Sequence, residues 1–180
     1  MVMQSIPIDA LKAVDGSREK ADTLLMGSYT PDLNLAIQFV YFYSIFAAAR
    51  SAKLSGYLLQ DAGLQAGGTL GLMATDWIDK GKWQMAEWAG TRMSDIGLSL
   101  RDFYLSDLGS FVPGIALSHQ GKVMPAHIAL STGLRFLPQA EAQYANDQSA
   151  LDALHHWAIV ARHALDEVEK DPSVRAILKR

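Results

Sequence analysis

Five histidines, His119, His127, His155, His156 and His163, are the side chains of this sequence best suited to metal or proton chemistry. A helix brings two ligands to one ion when they stand three or four residues apart. Asp152 has that spacing to His155 and His156, and His163 has it to Asp166 and Glu167. His156 and His163 are about two turns apart, roughly 10 Å of rise, which is too far for both to hold one ion. A metal would need carboxylates from another helix, such as Glu87 or Asp95. The simpler account is a solvated polar face, because Leu151, Leu154, Ala158, Ala161, Leu165 and Val168 mark an apolar seam on the same helix, with His156 and His163 turned away from it. Neither a metal nor another cofactor is expected.

Covalent chemistry has less support. Ser118 adjoins His119, but the segment lacks the G-x-S-x-G elbow, and adjacent residues rarely meet side chain to side chain. "GLQAGGTLG" has neither the lysine and hydroxyl pair of a phosphate loop nor the G-x-G-x-x-G spacing. The chain has no cysteine, which removes thiolate nucleophiles, sulfur-ligated zinc and disulfides, and is consistent with a cytoplasmic protein. No catalytic residue is assigned, and a non-enzymatic protein is expected.

Aromatic residues offer a different chemistry. Trp77, Trp83 and Trp88 lie within "TDWIDKGKWQMAEWAGTRM", interleaved with Asp76, Lys80, Glu87 and Arg92. Tryptophan beside charge is the composition of an interface hot spot. The competing structural role puts Trp88 in the core with Met85, Met93 and Ile96, while Trp77 and Trp83 cap the bundle end. "LRDFYLSDLGSF" supplies a second mixed surface, in which Leu100 and Phe103 face inward and Arg101 and Tyr104 outward. Trp77, Trp83, Trp88, Arg101 and Tyr104 are therefore the candidate contacts to another protein. If the fold instead encloses an apolar small molecule or a metal, Tyr41, Tyr43, His155 and His163 are the candidate polar anchors.

The totals bound what can position these groups. With 180 residues, 49% of them hydrophobic, one domain with a sizeable core is expected. A net charge of -3 and a pI near 5.9 do not provide the basic surface that nucleic acid requires, so none is expected as a partner. "MVMQSIPIDALKAVDGSREK" lacks a basic region, apolar run and small-residue cleavage site, so no secretory signal is expected.

Helix signals dominate. Apolar spacing predicts helices near 7–14, 17–26, 31–61, 65–80, 83–108, 125–137, 148–170 and 172–178. Thr30 with Pro31, and Asp171 with Pro172, read as helix starts, Ser149 with Asp152 as a capping box, and Gly81 as a stop. The long third segment has a candidate break around "RSAKLSGY", since Ser51, Ser55 and Gly56 are all weak helix residues. Between 110 and 125, Pro113, Gly114 and Gly121 among β-branched residues point to a loop or short β-hairpin. The expected fold class is an all-α, single-domain bundle of about six to eight helices around a strongly apolar one.

That apolar helix is "LAIQFVYFYSIFAAAR", residues 35–50. Its uncharged stretch from Leu35 to Ala49 has 15 residues, against the roughly 20 that cross a bilayer, so it reads as core. The following arm, "AGLQAGGTLGLMAT", is equally short, and Gly63 and Gly67 suit close helix contact. A helical hairpin reversibly buried in a bilayer is the competing reading, and membrane contact is not expected. Taken together, these features predict a helical protein-interaction module, such as an adaptor, an inhibitor or immunity partner, or an accessory subunit. A small-molecule or metal-binding bundle is the main rival.

Overall fold

The computed structural model describes residues 8–26 and 35–178. Among them are nine α-helices and no strand, so the all-α class holds. The start expected at Thr30 and Pro31 lies outside the described residues. The chain divides into two compact units, residues 1–69 and 70–180, and the division falls within α4.

The first unit contains α1 (Ile8–Val14), α2 (Arg18–Met26), α3 (Leu35–Ser51) and the start of α4 (Tyr57–Asp79), with α1 packed on α2 and α3. In α3, Phe39, Phe42, Ile45, Phe46 and Ala49 recur at helical spacing and are buried. Ile37 and Val40 on the other side are exposed, as is Leu35 at the first position of the helix, so this helix is apolar all round but buried along one face. Among the described residues no helix is long and apolar enough to cross a membrane.

The second unit continues with α5 (Trp83–Leu100), α6 (Phe103–His119), α7 (Val123–Gln143), α8 (Gln148–Val168) and α9 (Pro172–Leu178). Among the described residues four helix ends close in the same way, with a residue at positive φ and a pair of nested backbone bonds. At Gly81 (φ 65°) the Lys82 N–H reaches the Trp77 carbonyl at 2.7 Å and the Gly81 N–H reaches Ile78 at 3.0 Å. At Gly121 (φ 72°) Lys122 donates to Leu117 and Gly121 to Ser118, both at 3.0 Å. Lys53 (φ 57°) and Arg101 (φ 56°) end α3 and α5 with the same backbone bonds, although each carries a side chain.

These closures fix two helix breaks. The long segment over 31–61 breaks at Lys53, within the weak stretch "RSAKLSGY" where a break was expected, whereas the segment expected as one helix over 83–108 is corrected, since it breaks at Arg101. The buried carboxylate of Asp102 restarts the chain, accepting the Leu105 N–H at 2.8 Å as the N-cap of α6. The new helix has its own phase. Phe103 is therefore exposed and Tyr104 half-buried, the reverse of the expected arrangement. The start of α8 is also corrected: Asp147, not Ser149, caps it, accepting the Ala150 N–H at 3.0 Å. Asp171 caps α9 as expected, accepting the Ser173 N–H at 2.8 Å.

The loop or hairpin expected near 110–125 is helix as far as His119, and only a tight turn about Gly121 separates α6 from α7. Burial overrides local propensity here. Phe111, Val112, Ile115 and Ala116 are all buried, and the ring of Pro113 lies over Gly90 of α5. A Cβ at Gly90 would sit 2.3 Å from Pro113 Cδ, and one at Gly109 would sit 2.3 Å from the Ser94 nitrogen, so α5 and α6 meet almost backbone to backbone. Next to them α6 packs on α7, with Gly114 against Leu130 and Gly133 against Phe111. Against α6 and α7, α8 turns the predicted seam: Leu154, Ala158, Ala161 and Val168 are buried and Leu151 and Leu165 half-buried. Beneath α9, Val174 joins Val168 and Ala126 in a satellite cluster.

Candidate functional site

The second unit brings several candidate residues together around two hairpin turns. Trp83 opens α5 immediately after the Gly81 turn, and His119 closes α6 immediately before the Gly121 turn. Their rings stack at 4.0 Å between centroids and 3° between planes. One turn into α5, Glu87 ties the same elements together, accepting from Gln120 Nε2 at 2.8 Å and Lys122 Nζ at 3.2 Å. The Gln120 hydrogen bond, with Lys122 adding to it, holds the Glu87 carboxyl below the usual range. Glu87 is thus committed to the turn.

His119 also lines an open groove of about 410 Å³, a volume that suits a small molecule. The apolar lining comes from Ile115, Val123, Val160, Ala164 and Val168; Ser118, His119, His163 and Glu167 supply polar groups. The Ser118 hydroxyl donates to the Ile115 carbonyl at 2.7 Å, a bond within its own helix. It is not paired with the adjacent histidine. Trp83, expected as a protein contact, and His163, expected as a ligand anchor, therefore belong to one neighbourhood, with His119 between them. Among the described residues, no group of three or more acidic or histidine side chains could hold a metal ion.

The other expected anchors lie elsewhere. His155 is exposed on α8, its Nε2 2.9 Å from Glu141 Oε1. Tyr41 and Tyr43 belong to α3 in the first unit. Tyr43 packs between Phe39 and Phe46, at 5.2 and 6.1 Å between centroids, and the buried hydroxyl of Tyr41 has no hydrogen-bond partner.

A second aromatic group lies on the α4–α5 hairpin. Trp77 and Trp88 meet edge to face at 6.3 Å and 62°. Trp88 is 42% exposed and Met85, on the same face of α5, 44%, so neither joins the core as their apolar neighbours Met93 and Ile96 do. The Asp76–Lys80 ion pair at 2.6 Å and the exposed Arg92 give this patch a polar border.

Arg101 and Tyr104 border a third arrangement that sequence spacing alone did not reveal. Tyr144, at the end of α7, donates its hydroxyl to Asp102 Oδ2 at 2.5 Å and packs on Tyr104 at 5.3 Å. Burial raises the Tyr144 and Tyr104 hydroxyls above their ordinary pKa, and the nearby Asp102 charge adds to the effect. Gln143 extends the tie: its Oε1 accepts the Phe103 N–H at 2.7 Å, and its Nε2 donates to the Arg101 carbonyl at 3.4 Å. These bonds cross about forty residues, which is why local spacing did not signal them. Their chemistry is structural, fixing the α5–α6 corner to the end of α7. No protein-family model, curated protein sequence or solved structure matches this chain.

Proposed function

We propose that the protein acts by binding another protein through the outward face of the α4–α5 hairpin, without catalysing a reaction of its own. The observation that carries this reading is the Trp77–Trp88 pair, with Trp88 and Met85 left more than 40% exposed. Large rigid rings held against one another give contact area at little conformational cost, and a charged border around an apolar centre is the anatomy of a protein interface. A negative net charge and the lack of cysteine agree with a cytoplasmic protein that binds no nucleic acid, and both belong to the same proposal.

A photo-crosslinking side chain in place of Met85, introduced in the native cell, identifies the polypeptide that covers this face. With that partner purified, Trp88→Ala should weaken binding by about 2 kcal/mol or more, roughly thirtyfold in Kd. Unchanged affinity in Trp88→Ala, or a crosslink yield at residue 85 no higher than at an exposed control position, overturns the assignment.

A second reading is favoured by the groove beside His119 and His163, which could hold a small molecule with an apolar body and a hydrogen-bonding head. Comparing native and denatured mass spectra separates the two. A mass excess lost on denaturation, and absent from a variant with Val160→Trp filling the groove, supports the ligand; a bare chain at its sequence mass counts against it.

A further inference from the structure

Outside both surfaces, the fold buries an acid that neither uses. Asp107 lies on the second turn of α6, 1% exposed, and its Oδ2 has no hydrogen-bond partner. No ion pair reaches it among the described residues. Each helix beside it presents something different. From α7 comes Glu141, whose negative charge acts on Asp107. From α8 comes His155, whose Nε2 lies 2.9 Å from Glu141 Oε1. Along this stretch α5 meets α6 through Ser94 and Gly97, which carry no charge.

We propose that Asp107 is a proton-operated latch: uncharged, it lets the last turns of α7 lie against α6, and on losing its proton it loosens that end of the bundle. The physical reason is that a lone carboxylate buried among helices lacks the solvation and counter-charge that would stabilise it, and here it also faces a second carboxylate. Burial first, and Glu141 second, raise the Asp107 carboxyl from the ordinary 3.8 to about 7. The latch would thus act within the range of ordinary cellular pH. The folded chain binds this proton more tightly than the unfolded chain does. The stability it contributes is therefore present in acid and is lost as pH rises toward and through 7.

The test compares intact wild-type protein with Asp107→Asn and Glu141→Gln from pH 5 to 8.5, by thermal unfolding and by amide hydrogen exchange corrected for intrinsic rates. Wild-type Tm should fall across this range by on the order of 5 °C more than that of Asp107→Asn. Protection of residues 104–110 and 137–143 should fall with it. Glu141→Gln should move the transition to lower pH without abolishing it. If Asp107→Asn fails to fold, the carboxyl carbon of Asp107, followed by NMR in the wild type, keeps the question open to decision, with a midpoint near 7 expected. A midpoint near 4, or equal pH slopes for wild type and Asp107→Asn, overturns the latch.

Discussion

The α5–α6 contact and the α6–α8 contact join neighbouring helices on opposite principles. Between α5 and α6 the side chains are removed: Gly90 faces the Pro113 ring and Gly109 faces the Ser94 backbone, so the contact is made by main chain that cannot rotate away. Between α6 and α8 the side chains themselves do the packing, with Leu154, Ala158 and Ala161 buried along a regular seam and an open groove beside Val160 and His163. The first contact is rigid and sensitive to any added atom. The second can adjust to losses and has space along its margin.

Substitutions on the two contacts should behave differently. Gly109→Val should be the most damaging, because even its first added carbon would sit 2.3 Å from Ser94 N and 2.6 Å from Ser94 Cα. Atoms of the main chain yield only if the helices separate, and a loss of about 3 kcal/mol or more is expected in urea unfolding. Leu154→Ala, which empties part of the seam, should cost about 2–3 kcal/mol, with flanking side chains settling into the space. If Leu154→Ala proves the worse of the two, the contrast fails. Tyr144→Phe should cost about 1–2 kcal/mol, since it leaves the buried Asp102 Oδ2 without its 2.5 Å donor. Arg101→Gly should be the mildest and opposite in sign. It relieves a left-handed side-chain residue at φ 56° and should stabilise by about 1 kcal/mol. A neutral or destabilising result would show that the Arg101 side chain contributes contacts that outweigh its backbone strain.

The same contrast explains how much could be read from the sequence. The seam of α8 was legible because it depends on apolar residues at helical spacing, and the Gly81 turn because glycine advertises the conformation it adopts. The break near Lys53 was legible only through its weak helix neighbours Ser51, Ser55 and Gly56, and the break at Arg101 was not legible, since a basic residue at positive φ is set by the packing on either side and not by its own preference. Pro113 misled in the opposite direction: locally it argues for a loop, yet its ring fills the space that Gly90 leaves open. At the candidate site, Trp83, Trp88 and His163 were recognisable as unusual side chains. That Trp83 stacks on His119, that Trp88 is exposed, and that Tyr144 reaches Asp102 all depend on contacts between distant parts of the chain.

The Trp83–His119 stack also makes the groove optically addressable. A molecule that settles against the imidazole is one ring away from an indole. Trp83 thus lies directly behind a groove-lining side chain, and in a variant that keeps Trp83 as its single tryptophan, emission would report a compound that displaces the His119 ring.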